Sequence, residues 1–200
     1  MLRHVFLTGP PGVGKTTLVQ KACDALLSSG QAVEGFYTEE VREGGRRVGF
    51  DVVTVSGERD HLSRIRDIAG DSHSRREYTV GQYVVDLPSF ERLALPLFTK
   101  VHHTLACLWA RKTGPARRCL CLDEIGKMEL FSQPFIKAVR MTLDCSSCTI
   151  LGTIPIPKGK LLGLVEDVRT RSDVRVFTVS KENRNAILQD ILSALQECLK

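Results

Sequence analysis

The feature that most constrains this chain is the octapeptide GPPGVGKT at residues 9–16. It follows a short apolar run at residues 5–7, which ends at a Gly/Pro turn and is typical of a buried parallel strand. It precedes a helical pattern at residues 15–29 that stops at Gly30. Because a phosphate-binding loop of this form joins a strand to a helix, the sequence predicts a P-loop α/β fold.

The loop predicts a site for a nucleoside triphosphate together with Mg²⁺. Its glycines permit positive φ angles and let several N–H groups converge on one phosphate. We expect Lys15 to reach the β and γ phosphates, the Thr16 hydroxyl to coordinate Mg²⁺, and Thr17 to lie near the α phosphate. The alternative, a glycine turn with a surface lysine, leaves the flanking strand and helix unexplained. The predicted nucleotide-binding residues here are Gly9, Pro10, Pro11, Gly12, Val13, Gly14, Lys15, Thr16 and Thr17.

A second motif, at residues 119–126, indicates the reaction. An apolar strand at 119–122 brings Asp123 to the carboxyl edge of the sheet, where a Walker-B acid holds Mg²⁺. Glu124 lies beside it and can orient or deprotonate an attacking water. A kinase needs no base aimed at water, so the pair favours hydrolysis; the alternative is an acidic turn at a strand end. The predicted site residues of this motif are Cys119, Leu120, Cys121, Leu122, Asp123, Glu124, Ile125 and Gly126, with Thr16 and Asp123 as metal ligands and Lys15 and Glu124 as catalytic residues.

The rest of the pattern predicts a single domain over residues 1–200, with a mainly parallel central sheet flanked by helices. Residues 33–55 form a predicted β-hairpin around a turn at 42–47, which makes the sheet mixed. The polar residues 56–78 are predicted to be a mobile surface loop. Other predicted strands cover 80–85, 149–154 and 174–179, and other predicted helices cover 90–98, 131–143, 161–171 and 182–199.

The composition and the first residues argue against a membrane protein and against an exported one. The hydrophobic fraction of 42% and the charged fraction of 26% are ordinary for a globular protein. No apolar run approaches the roughly 20 residues that a membrane span needs. Residues 1–7 are interpreted as a strand, because cleavage of an export signal there would remove the phosphate loop. We therefore expect a cytoplasmic protein, with the nucleus as an alternative.

The seven cysteines argue against a disulfide framework, because their number is odd in a chain of this size. Cys145 and Cys148 have CxxC spacing, and Cys119 and Cys121 flank Leu120. Neither pair has a second well-spaced pair to complete a zinc site, and Cys119 and Cys121 fall on a predicted buried strand. Ordinary reduced thiols are therefore expected, which fits the cytosol.

The net charge of +5 is concentrated in residues 99–118, which carry five basic side chains and no acidic one. We predict that this stretch is a mobile, solvated, insertion-like segment. The alternative is a nucleic-acid site in which Trp109, near His102 and His103, stacks on a base among these cations. The basic residues are Lys100, Arg111, Lys112, Arg117 and Arg118.

Several segments together resemble one family. Besides the loop at 9–16, they are residues 35–42, 49–53, 80–86, 123–129, 152–155 and 181–185. Over most of its length the chain is similar to the cancer-related nucleoside-triphosphatase family, small P-loop phosphatases that are also present in thermophilic microbes. The resemblance implies a RecA- or AAA-like core and Mg²⁺-dependent hydrolysis of nucleoside triphosphates such as ATP, GTP, CTP and UTP to diphosphate and phosphate.

Four other residues have two interpretations each. Thr153 is either a polar sensor of the γ phosphate or the cap of a strand. Asn183 and Arg184 either line the base pocket or begin a solvated helix. Glu129, five residues after Glu124, either acts at the site or lies apart from it.

No arginine finger can be assigned from the sequence, so we expect slow turnover, broad base specificity and a monomer. A small-molecule or nucleotide kinase is one rival function, with Arg75 and Arg76 as its weak lid candidates. The other rival is a nucleotide-gated module that binds RNA or a protein through the basic segment. The available arginines are Arg42, Arg46, Arg47 and Arg171.

Overall fold

Strands and helices alternate along the chain in the computed structural model, which describes residues 1–69, 77–109, 117–160 and 162–200. The described strands are β1 His4–Thr8, β2 Val33–Glu43, β3 Arg46–Thr54, β4 Arg59–Ile65, β5 Tyr78–Val80, β6 Tyr83–Val85, β7 Arg118–Leu122, β8 Cys148–Thr153 and β9 Val174–Thr178. The described helices are α1 Lys15–Ser28, α2 Arg66–Ala69, α3 Leu87–Trp109, α4 Gln133–Asp144, α5 Gly163–Thr170 and α6 Leu188–Leu199, with a 3-10 turn at Glu129–Phe131.

The strands form one mixed sheet in the order β5-β6-β4-β3-β2-β7-β8-β1-β9. From β2 to β9 in that order the neighbouring strands are all parallel. The carboxyl ends of these five strands therefore meet at one edge, which is where ligands bind in such sheets. The predicted α/β class is confirmed.

The other half of the sheet is an antiparallel extension. The predicted hairpin is confirmed as β2 and β3, and β4, β6 and β5 continue outward from it. The prediction of a loop over residues 56–78 is wrong where the structure describes it, because β4 pairs with β3 on one side and β6 on the other. Three side chains of β4, Leu62, Ser63 and Ile65, are buried, although most residues of this strand are polar.

The core lies on both faces of the sheet because successive side chains of a strand point to opposite sides. On β1, Phe6 joins the cluster under α3, α4 and α5, whereas Val5 and Leu7 join the cluster under α1 and α6. Aromatic rings fill the first cluster, with ring centroids 5.2 Å apart for Phe90 and Phe135. These two clusters hold the helices on the sheet and so position the loops at its edge.

Helix α3 corrects the prediction of an insertion that begins at residue 99. The buried apolar stripe of this helix continues past the predicted end at Phe98 to Val101, so the helix continues to Trp109. The basic composition of residues 99–118 concealed this periodicity, and residues 110–116 lie outside the described part of the chain.

Two other predicted boundaries also move. The predicted helix over 182–199 begins at Leu188, because residues 180–187 form turns instead. The predicted strand over 80–85 is a hairpin of β5 and β6 that turns at Gly81 and Gln82. Among the described helices, none combines the length and apolar character that a membrane crossing requires.

Candidate active site

The phosphate loop connects the end of β1 to the start of α1. Gly14 is the N-cap of α1 with φ of 110°, a conformation that favours glycine. A Cβ atom on Gly9 would lie 2.5 Å from the carbonyl oxygen of Val179, so this position has no room for a side chain. The first N–H groups of α1 have no partner within the helix and are therefore available to bind an anion.

Lys15 lies over this loop. Its Nζ donates hydrogen bonds to the carbonyl oxygens of Gly9, at 3.0 Å, and Pro10, at 3.2 Å. The ammonium is thereby placed at the mouth of the loop, where the phosphates of a nucleotide are expected.

Asp123 ends the buried strand β7 and is only 1% exposed. Its Oδ1 accepts a hydrogen bond from the Thr153 hydroxyl at 2.6 Å, whereas its Oδ2 has no partner among the described residues. Burial raises the pKa of this carboxyl, and the hydroxyls of Thr153 and Thr16 and the charge of Lys15 act in the opposite direction. A buried carboxylate oxygen without a partner, close to the Thr16 hydroxyl, matches the oxygen ligands that Mg²⁺ prefers.

Thr153 therefore has a defined contact. The parallel register places Leu122 of β7 opposite Gly152 of β8, so the residues that follow them are neighbours across the sheet. The hydroxyl of Thr153 donates to Asp123, a contact that neither sequence interpretation named, and a role as sensor of the γ phosphate stays a prediction.

Glu124 follows Asp123 across a cis peptide bond and is half-buried. Burial and the charge of Asp123 raise the pKa of its carboxyl, and Lys15 opposes the shift. No described residue donates a hydrogen bond to this carboxylate. Its oxygens are therefore available to a water, as a general base requires.

Glu129 lies next to this carboxylate. Its Oε2 accepts a hydrogen bond from the backbone N–H of Gly126 at 3.0 Å. A Cβ atom on Gly126 would lie 3.2 Å from Glu129 Oε2 and 3.4 Å from Glu124 Oε1, so the two carboxylates flank this glycine. Burial and the charge of Glu124 raise the pKa of Glu129 to about 8. Of the two interpretations of Glu129, the structure supports a place beside the site.

A cavity of about 280 Å³ opens beside Lys15 and Glu124, between the loops that follow β7 and β8. It is far larger than the space that one water occupies. Three exposed lysines on its wall make no hydrogen bond or ion pair with any described residue. Its basic and apolar lining residues include Lys127, Lys158, Lys160, Ile156, Leu162 and Val165.

The two residues predicted near the base have different surroundings. Asn183 closes a turn after β9, because its Oδ1 accepts from Ser180 N and its Nδ2 donates to Thr178 O, both at 2.8 Å. Arg184 reaches the phosphate loop, where its Nη1 lies 3.5 Å from the carbonyl oxygen of Val13. The structure thus brings Arg184 to the site and gives Asn183 a structural role.

The arginines singled out from the sequence do not approach the loop where they are described. Arg42 and Arg47 form ion pairs with Glu40 on the hairpin, and Arg46 lies on the same hairpin. Arg171 forms ion pairs with Asp144 and Asp173, near the amino ends of the parallel strands. The candidates Arg75 and Arg76 lie outside the described residues.

Sequence reasoning missed Arg169, which is half-buried at the end of β1. Its Nη2 donates to the Thr8 hydroxyl at 3.1 Å and to the carbonyl oxygen of Pro155. No sequence signal separates this arginine from others, because its position depends on how α5 crosses the edge of the sheet.

Comparison with known proteins finds relatives over most of this chain. A sequence model of the NTPase family matches residues 4–192. The human protein named cancer-related nucleoside-triphosphatase is 58% identical over 200 residues, which cover 100% of each chain. A nucleoside-triphosphatase THEP1 from Thermotoga sp. is 35% identical over 192 residues, which cover 96% of this chain and 95% of the relative.

Two solved structures have the same fold. The solution structure of the human cancer-related nucleoside triphosphatase superposes with a TM-score of 0.80 at 58% identity, covering 99% of this chain and 100% of that one. The crystal structure of THEP1 from Aquifex aeolicus superposes with a TM-score of 0.76 at 34% identity. The match covers 96% of this chain and 99% of that one.

Proposed function

This chain belongs to the NTPase family, and we propose that it hydrolyses nucleoside triphosphates to diphosphate and phosphate in a Mg²⁺-dependent reaction. The observation that carries the proposal is the pair Asp123 and Glu124 at the carboxyl edge of the sheet, facing Lys15 of the phosphate loop. One carboxylate has an oxygen free for a metal, and the other has none of its oxygens engaged by a described donor.

The chain's own residues bind and orient the nucleotide in this proposal. Lys15 and the N–H groups at the start of α1 hold the β and γ phosphates. Thr16 and Asp123 would hold Mg²⁺, which when bound neutralises charge that develops on the phosphate oxygens. Thr153 keeps the Asp123 carboxylate in place through its hydrogen bond.

Glu124 is the proposed general base. It accepts a proton from a water whose oxygen forms a bond to the γ phosphorus. The bond between that phosphorus and the β–γ bridging oxygen breaks, and the diphosphate leaves with the electron pair. The proximity of Lys15 keeps the Glu124 carboxyl from a still higher pKa, which favours its ionised form.

We infer broad base specificity and slow turnover, with ATP, GTP, CTP and UTP as substrates. Arg42, Arg47 and Arg171 are engaged in ion pairs away from the loop, so none of them supplies transition-state charge in this arrangement. Arg169 differs from these arginines: its Nη2 donates to Thr8 and Pro155, but its Nε has no hydrogen-bond partner among the described residues.

We infer a single-domain monomer, because the large apolar side chains exposed among the described residues are scattered: Met1, Leu27 and Met141. We infer a cytoplasmic location, because the six described cysteines are free thiols.

Phosphate release from ATP, GTP, CTP and UTP tests this proposal directly. We expect release from all four with Mg²⁺, and none above background when a chelator removes the ion. Lys15→Ala abolishes release, whereas the matched variant Lys21→Ala, at an exposed position on the same helix, retains it. Nucleotide binding without release from any of the four would contradict the proposal.

A second candidate function, phosphoryl transfer to an anionic acceptor, is favoured by the cavity. The cavity of about 280 Å³ is lined by Gly9 and Lys15 of the phosphate loop, where the nucleotide would occupy part of it, and it extends from there to Lys158, Lys160 and Leu162. Lys127, Lys158 and Lys160 give it positive charge, and its apolar wall suits an organic body. An acceptor hydroxyl there would replace water as the attacking group.

This candidate is tested with ATP labelled in the γ phosphate and a panel of nucleoside monophosphates and sugar phosphates. Transfer of label to an acceptor, lost in the double variant Lys158→Ala/Lys160→Ala while phosphate release to water persists, would support it. Label that appears only in inorganic phosphate with every acceptor would remove this candidate and leave hydrolysis.

A further inference from the structure

Three metal-binding side chains converge at the edge of the sheet opposite the phosphate loop. They are His102 on α3, Cys145 directly after α4, and Cys148, the first residue of β8. Their ligand atoms all lie within 4.8 Å of one another. His102 and Cys145 are half-buried and Cys148 is buried, so the cluster is partly shielded from water but accessible to an ion.

The sequence did not show that His102 lies beside Cys145 and Cys148. The CxxC spacing of Cys145 and Cys148 offers two thiolates, and a zinc site needs more ligands. The third ligand is supplied because α3 extends through residue 102 and packs beside α4, where His102 Nε2 lies 3.3 Å from the Thr142 hydroxyl. That contact positions the imidazole ring, as an outer-shell hydrogen bond does at metal sites.

The loop between the two cysteines is already shaped for a thiolate. The Ser147 hydroxyl lies 3.4 Å from Cys145 Sγ. Donors around a sulfur stabilise its charged form, which is the form that binds metals.

The surroundings of Cys148 act on its charge in opposite directions: burial and the neighbouring Cys145 thiol raise its pKa to about 12, whereas Arg118 and Arg3 oppose the shift. Arg118 opens the neighbouring strand β7 and pairs with Cys148 in the parallel register, and Arg3 lies close to the same thiol. The two guanidinium groups reduce, but do not remove, the cost of a thiolate at the buried Cys148.

Ligand chemistry selects the ion. Zinc binds cysteine sulfur at about 2.3 Å and histidine nitrogen at about 2.0–2.1 Å in tetrahedral geometry, so its ligand atoms lie roughly 3.3–3.8 Å apart. The ligand atoms of the cluster, all within 4.8 Å of one another, would draw closer on binding the ion. Magnesium, which prefers oxygen ligands, has no affinity for such a set.

We propose that His102, Cys145 and Cys148 form a zinc site, separate from the nucleotide site, that fastens α3 to the junction of α4 and β8. The three side chains leave one tetrahedral position for water or another donor. The thiols release their protons as the thiolates bind the ion. Zinc at this place stabilises the fold and needs no nucleotide.

Zinc titration of the full chain tests the proposal. The protein is stripped with a chelator, kept in a phosphine reductant, and titrated with Zn²⁺ against a chromophoric competitor. We expect one zinc per chain with Kd below about 1 µM, and a melting temperature that rises on zinc addition. Cobalt(II) in the same site should show thiolate-to-metal charge-transfer absorption.

Variants identify the ligands. Cys145→Ser, Cys148→Ser and His102→Ala should each weaken zinc binding at least about 100-fold, and the two serine variants should also reduce the cobalt absorption. His61→Ala, an exposed histidine outside the cluster, and Asp123→Asn, which alters the proposed Mg²⁺ site, should leave the affinity unchanged.

Two results would overturn the proposal. One is equal zinc affinity for the wild type and His102→Ala, a variant at a half-buried position that should fold even if Cys148→Ser does not. The other is a Cys145–Cys148 disulfide that persists under reductant, shown by intact mass, because a disulfide leaves no thiolate for zinc.

Discussion

Two aspartates buried in the same sheet have opposite surroundings. Asp51, on β3 in the antiparallel extension, is 6% exposed and accepts hydrogen bonds from Arg59 at 3.0 Å and Arg64 at 2.7 Å. Asp123, at the end of β7, is 1% exposed, and one of its oxygens has no described partner. The first carboxylate is neutralised by the chain, and the second is not.

Asp51 is therefore an example of a carboxylate with a structural role, and Asp123 of one with a functional role. A buried carboxylate that the chain pairs with arginine contributes to the arrangement of the strands around it. A buried carboxylate with an unpaired oxygen lowers the stability of the protein. It is expected at a functional site, where a ligand supplies the missing partner. The comparison predicts that changes in the two regions affect different measurements.

Asp123→Asn should have the largest effect on activity. The amide keeps an acceptor for Thr153 but cannot supply an anionic metal ligand, so we expect phosphate release to fall about 10³-fold or more. The melting temperature should stay level or rise, because the change removes a buried charge that lacks a partner. Phosphate release and thermal unfolding of the same preparation check both parts. Retained activity would place the metal ligand elsewhere.

Asp51→Ala should reverse that pattern. Loss of this carboxylate leaves Arg64, whose side chain is 16% exposed, without its partner. We expect unfolding free energy to fall by about 2–4 kcal/mol, less than for a fully buried pair because Arg59 is half-exposed. Denaturant unfolding measures the loss, and phosphate release per folded molecule should not change. A drop in turnover at constant stability would contradict the distinction between the two regions.

Glu129→Gln should stabilise the protein increasingly as the pH rises above about 4.5. The folded pKa of Glu129 is about 8, above its ordinary value of 4.5, so the folded state binds more protons between these two pH values. Stability attributable to this group therefore falls as pH rises through that window. The amide cannot ionise and keeps an acceptor for the N–H of Gly126. The melting temperature should be several degrees higher than wild type at pH 8.5 and equal to it near pH 4.5; an equal difference at both would exclude titration of Glu129 as the cause.

Glu40→Gln should have the smallest effect. Its carboxylate pairs with Arg42 and Arg47, but all three side chains are at least 40% exposed. Solvent screens such pairs, so we expect unfolding free energy to change by no more than about 1 kcal/mol, with no change in phosphate release. Denaturant unfolding in low and high salt checks this. A loss of unfolding free energy as large as that for Asp51→Ala would show that solvent exposure does not explain the difference between the ion pairs of Glu40 and those of Asp51.

The parts of the site that the sequence predicts are those fixed by neighbouring residues. The loop over 9–16 and the strand that delivers Asp123 depend on local glycines, a lysine and an apolar run, and each occurs where expected. The hairpin β2–β3 follows from its turn in the same way.

The parts that the sequence could not predict depend on tertiary contacts. Strand β4 has a polar sequence and is held by its pairing with β3 and β6, and the basic character beyond residue 98 concealed the end of α3. Arg169 reaches Thr8, and His102 meets Cys145 and Cys148, only through the way helices cross the sheet. No local pattern carries such information.

The most direct test of the central claim is Glu124→Gln, assayed for both nucleotide binding and phosphate release. The amide preserves the size of the side chain but cannot accept the proton of the attacking water. We predict that binding of MgATP remains near the wild-type level while release falls at least about 100-fold, and that the matched control Asp167→Asn, an exposed carboxylate on α5, releases phosphate like the wild type. Equal turnover in Glu124→Gln and wild type would contradict the assignment of Glu124 as the base.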